Sequence, residues 1–73
     1  MSDHGVLLFH TTSAALRAEK LLKEAGFTIK LIPVPRQFAS DCGLAVRLEW
    51  AHLDEARSIL DAAHVSIAAE HRL

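Results

Sequence analysis

The chain has one cysteine, Cys42, in 73 residues. That excludes an internal disulfide and any zinc site built from several cysteines. It has no basic surplus: eight Lys and Arg against nine Asp and Glu leave a formal charge of -1, without the positive footprint that nucleic-acid binding requires. It has no apolar run near the roughly 18 residues of a membrane span. Its opening, Met1-Ser-Asp-His-Gly5, lacks the positive start and apolar stretch of a secretion signal. Glycine is scarce, and Gly5, Gly26 and Gly43 stand too far apart to form a phosphate-cradling loop. What is abundant is apolar side chain, at 51%, which argues for a packed core and against disorder. The length sets one domain, residues 1–73, and a domain this small buries only about 60% of the surface its unfolded chain exposes. An unpaired cysteine suits a reducing compartment. The expectation is a cytoplasmic protein without nucleic-acid or membrane partners, and without metal or cofactor.

Val6-Leu7-Leu8-Phe9, within Gly5 to His10, is a continuous apolar run and predicts a strand buried on both faces. Thr11, Thr12 and Ser13 are competent N-caps for a helix reaching Ala25, with Ala14, Ala18, Leu21, Leu22 and Ala25 on its buried stripe and Gly26 as its stop. Phe27 to Ile32 alternates as a strand, ended by Pro33 and Pro35. A loop over 33–43 follows. Leu44, Val46, Leu48 and Trp50 alternate with a wet face of Ala45, Arg47 and Glu49. A second helix is expected over about Ala51–Ala63, and Val65, Ile67 and Ala69 suggest a last strand. The order β-α-β-β-α-β predicts an α+β, ferredoxin-like fold: a four-stranded antiparallel sheet, strand order 4-1-3-2, with two helices on one face. The apolar first strand belongs in the centre, and the strand ending in Pro-x-Pro at an edge.

This topology puts Cys42, just before the third strand, near the end of the first strand, with His10, Arg36, His64 and the start of the first helix at the same end of the domain. A helix N-terminus attracts anions. A neighbouring Arg or protonated His lowers a thiol's pKa from about 8.5. Gly43 leaves room beside the sulfur and permits unusual backbone angles. Ser40 and Asp41 shape the loop by local turn bonds, although the Asp41 carboxylate opposes a thiolate if it faces the sulfur. Each residue also has a plainer role: Cys42 as an idle half-buried thiol, Arg36 in a surface salt bridge, Ser40 and Asp41 in a turn. The five histidines, His4, His10, His52, His64 and His71, show no zinc-helix spacing, and His52 and His71 read as solvated.

Ile32-Pro-Val-Pro-Arg36 with Ser40-Asp-Cys-Gly43, together with Phe9-His-Thr-Thr and Ala18-Glu-Lys-Leu-Leu-Lys-Glu-Ala-Gly26, resembles a family of small bacterial selenium/sulfur carrier-like proteins over roughly residues 5–62. The resemblance implies a cytoplasmic carrier that holds sulfur or selenium on Cys42 as a persulfide or perselenide. Gly43, Ser40 and Arg36 are then its motif neighbours, while His10 is a candidate thiolate partner from the expected topology alone. Its partners would be the proteins that donate and accept the atom. The better-known sulfur-transfer proteins carry Cys-Pro at a helix start, whereas this chain carries Cys-Gly.

No hydrolase or transferase constellation is present, so a carrier or binding protein is expected ahead of a free-standing enzyme. The alternative is a non-catalytic ferredoxin-like binding or regulatory module acting as a homodimer, a state that exposed sheet edges and a small core favour. A third reading is a thiol sensor that bridges two chains through Cys42.

Overall fold

The computed structural model of the chain describes residues 3–38 and 43–73. Among them the element order is β1 (His4–Leu8), α1 (Thr12–Glu24), β2 (Ile29–Pro33), β3 (Leu44–Glu49), a single 3-10 turn (Trp50–His52), α2 (Leu53–Ala62) and β4 (Ala69–Arg72). The strands form one antiparallel sheet in the order β2-β3-β1-β4, an α+β architecture; counted from the β4 edge, the order is 4-1-3-2. β1 lies inside the sheet, and Val6, Leu7, Leu8 and Phe9 are at most 1% exposed. An unbroken apolar run is what a strand covered on both faces requires. β2, with its Pro33, lies at an edge.

Thr11 caps α1. Its backbone is extended, and its Oγ1 accepts the Ala14 N–H at 3.1 Å, an arrangement worth about 1 kcal/mol over alanine. Both helices end in the same hydrogen-bonded turn. In α1 the Gly26 N–H donates to the Lys23 carbonyl and the Phe27 N–H to that of Leu22; in α2 the His64 N–H donates to Asp61 and the Val65 N–H to Leu60. This is the Schellman pattern, whose turning residue is left-handed. Gly26 meets that demand at φ 92, whereas His64 adopts φ 59 with a full side chain.

The turn at His64 explains a correction to the last strand. It points Val65 into the core, where Val65 and Ile67 pack on the helix side of the sheet. The alternation Val65, Ile67, Ala69 therefore marks a packed connection, and β4 is Ala69–Arg72. Its sequence, Ala-Glu-His-Arg, carries no strand pattern. It is held by β1, flanked by the Ala68 N–H donating to the Leu8 carbonyl and the Leu73 N–H to that of His4, each at 2.8 Å. Two smaller corrections concern the helices. Ala25 is the exposed C-cap of α1, and Ala15 takes its place among the buried residues. α2 starts at Leu53, because Trp50–His52 form the 3-10 turn.

Both helices cover one face of the sheet. Ala15, Ala18 and Leu22 of α1 and Leu53, Ala56 and Leu60 of α2 pack with Leu7, Val46 and Leu48. The Arg17 guanidinium donates to the Ala63 carbonyl at 3.3 Å, tying α1 to the end of α2. Beyond β3, Trp50 closes on Gly5: a Cβ built there would stand 2.6 Å from Trp50 Cε3. Only glycine permits that approach. Arg72, paired with Asp3, lies 5.5 Å above the same indole.

The opposite face has a separate small core of Val6, Leu8 and Ala45, packed by Ile32, Val34, Phe38 and Ala69. No helical residue takes part. Ala45, expected on a wet face of the third strand, is fully buried, because Val34 and Phe38 close over it.

Candidate functional site

Leu8 pairs with both Ala45 and Ala69, and Pro33 pairs with Leu44. The ends of β1 and β2 therefore meet the starts of β3 and β4 at one end of the sheet. α1 begins there after His10, and α2 finishes there before His64. The Arg17 bond to Ala63 joins the two helices at that end. Of the residues expected at this end, His10 is exposed in the bend between β1 and α1, and His64 is exposed at the close of α2. Arg36 is exposed in the turn after β2, and Gly43 directly precedes β3. Among the described residues no ion pair joins His10, Arg36 or His64 to an acidic side chain. Ser40, Asp41 and Cys42 lie outside the described residues.

The loop that carries them is fixed at both of its described ends. At its base the Val34 N–H donates to the Gly43 carbonyl at 3.1 Å, and one step further the Phe38 N–H donates to Pro35 at 2.9 Å. The second bond closes a turn with Arg36 and Gln37 at its tip, entered through a proline whose φ is already set. Gly43 sits at φ 74, and among the described residues other than its chain neighbours no atom stands within 4 Å of where its Cβ would be. The space is open, but the left-handed backbone still selects glycine.

The turn delivers Phe38 onto the helix-free face. There its ring stacks on His71 of β4, with centroids 3.9 Å apart and planes within 6°. His71 pairs with Val6, so it shares the face that Phe38 covers. β2 and β4 are opposite edges of the sheet. The segment leaving one edge thus anchors on a side chain at the other. His71, expected in solvent, is half-buried in this stack. Two signals in the sequence pointed to this cover: a first strand apolar on both sides, and Val34 and Phe38 as large apolar residues inside an otherwise polar loop.

This face carries charge of both signs: Arg47 and Glu49 follow Ala45 at every second position along β3. Lys30 and Arg47 stand opposite each other in the β2–β3 register, and alternation places Arg47 on the same side as Ala45. The ion pairs among the described residues are Glu19 with Lys23, Arg57 with Glu70 and Asp3 with Arg72. Lys30, Arg47 and Arg36 are in none of them.

An open groove of about 840 Å³ runs between α2 and β4, lined in part by Asp54, Ser58, Asp61 and His64. Arg57 and Glu70 also line it, joined by two contacts at 3.1 and 3.3 Å. Among the described residues no three or more His, Cys, Asp or Glu side chains cluster as a metal site, and no helix is long and apolar enough to cross a membrane.

The family described as "Putative Se/S carrier protein-like" matches residues 4–72. The chain belongs to this family. The match takes in every strand and both helices, including the β4 residue that Phe38 stacks on. An Escherichia coli (strain K12) protein, named "Uncharacterized protein YtiA", is 35% identical over 43 residues, which is 59% of this chain and 51% of that protein. The aligned stretch thus spans about half the relative's length. No solved structure matches the chain.

Proposed function

We infer that the protein is a sulfur or selenium carrier whose working atom is the Cys42 sulfur. The observation that carries this reading is membership of a selenium/sulfur carrier-like family across residues 4–72, in a chain with one cysteine to serve. In the loading step the Cys42 thiolate attacks the outer sulfur of a donor persulfide, R–S–SH. A Cys42 S–S bond forms, the donor S–S bond breaks, and R–S⁻ leaves, so one sulfane sulfur moves without net oxidation. The selenium form replaces that outer atom. An acceptor thiolate unloads the atom by the same exchange. Arg36, exposed and without a carboxylate partner among the described residues, supplies positive charge on the loop. Gly43 leaves open space next to the sulfur-bearing residue, and Ser40 and His10 are the remaining polar neighbours in this reading. Partners are the donor and acceptor proteins.

The test is intact-mass spectrometry after incubation with a cysteine desulfurase and cysteine. One added sulfur atom is expected on the wild-type chain and none on Cys42→Ala. Equal adduct on the two chains refutes the carrier role.

The α2–β4 groove favours a second reading: a ferredoxin-like, cytoplasmic binding module that works as a homodimer. It requires a dimer in light scattering that Cys42→Ser leaves unchanged, with partner binding equally indifferent to the substitution.

A further inference from the structure

We propose that the outer edge of β4 is a self-recognition surface, on which a second copy of this chain adds its own β4 antiparallel. The strand ends the sheet on that side, and its register settles which backbone groups are open. Gly5 pairs with Arg72 and Val6 with His71, and the Leu73 N–H donates to the His4 carbonyl. Inward and outward groups alternate along an antiparallel strand. His71 therefore bonds β1, while Glu70 and Arg72 turn their N–H and C=O groups outward. An edge of that kind is a template for another strand. At the opposite edge Pro33 pairs with Leu44, and the Val34 N–H bonds the Gly43 carbonyl. The same alternation turns Pro33 outward, where it has no N–H to offer.

Charge on an edge normally repels a second strand. On β4 the order of the signs makes the edge complementary to itself. Glu70 and Arg72 lie two residues apart and so project from one face. An antiparallel partner centred on His71 sets Glu70 opposite Arg72 of the second copy, and Arg72 opposite its Glu70. Both pairs then also exchange backbone hydrogen bonds. Arg57 already pairs with Glu70, and Asp3 with Arg72, within the chain, so each new contact extends a row of alternating charge. On the other face the same register sets Leu73, 49% exposed, against Ala69 of the second copy.

The surface is independent of the carrier reading; it rests on the second reading only in giving that homodimer a defined face. Sedimentation velocity on the full chain at low salt tests it. A short strand makes a small interface, so the series runs from micromolar to millimolar chain, and the wild-type chain is expected to dimerise. Glu70→Arg sets like charges opposite each other, as does Arg72→Glu, and each should weaken self-association on the order of tenfold. Mixing these two variants restores both opposite-charge pairs, and association of the mixture is expected to return toward the wild-type level. Arg72→Pro removes an outward N–H and takes no bond from the β1–β4 ladder. It too should lose the dimer, and it serves if a charge variant does not fold. A monomeric wild-type chain overturns the proposal, as does a mixture no more associated than its parts. A dimer that every one of these variants leaves intact also overturns it, yet keeps the homodimer of the second reading on another face. The sulfur adduct on Cys42 judges the carrier reading separately in each case.

Discussion

The two faces of the sheet are sealed by different means. On one, α1 and α2 lay fully buried aliphatic side chains over Leu7, Val46 and Leu48, and both helices are fixed by caps and by the Arg17 bond between them. On the other, Val6, Leu8 and Ala45 are equally buried, yet their cover is a turn carrying Val34 and Phe38. The first cover is built from repeated turns of helix with fully buried side chains. The second depends on a half-buried ring and a loop base, the kind of cover that opens locally. The loop on that second face leads directly to Cys42.

The contrast is sharpest at Leu22. Leu22→Ala removes a fully buried side chain from the helix face and is expected to cost about 2–5 kcal/mol, measured by urea unfolding. Gly5→Ala drives a methyl into the Trp50 ring and overpacks that same face by about 1–3 kcal/mol; differential scanning calorimetry should show a lowered Tm, with Trp50 fluorescence reporting the displaced indole. Phe38→Ala strips the loop cover. Because the ring is half-buried, about 1 kcal/mol is expected, near half the value for a fully buried phenylalanine, together with faster amide exchange at Ala45 and Val6. A loss as large as that of Leu22→Ala would erase the distinction between the two faces. The smallest effect concerns charge: Lys30→Glu turns the like-charged pair with Arg47 into an opposite pair and should stabilise by about 0.2–1 kcal/mol at low salt. A destabilised Lys30→Glu would show that the pair is already satisfied.

Several elements of this arrangement were legible in the chain. The run Val6 to Phe9 announced a central strand, since no other position in a small sheet hides four successive apolar residues. Thr11 and Gly26 bracketed α1 by local hydrogen-bond chemistry. The β4 strand was not legible, because Ala69–Arg72 is polar and takes its strand conformation from pairing with β1. The end of α2 was legible in the apolar spacing, which runs to Ala63, the C-cap; what no breaker residue signalled is the left-handed turn that His64 makes there, at the site glycine marks in α1. At the candidate site, Cys42 stood out as the single cysteine, and its motif neighbours through the family resemblance. His71 did not, as its stacking depends on a ring 33 positions earlier in the chain.

The sequence by itself determined the alternation of helices and strands, the interior place of β1, the edge place of β2 and the address of the lone thiol. All of these follow from periodicity, capping and the missing N–H of proline, which act within a few residues. Only the tertiary structure decided that β4 is Ala69–Arg72, that Ala45 faces a second core, and that Phe38 crosses the sheet to stack on His71. Those outcomes depend on which surfaces remain uncovered once the helices have docked, and that is a property of the assembled sheet.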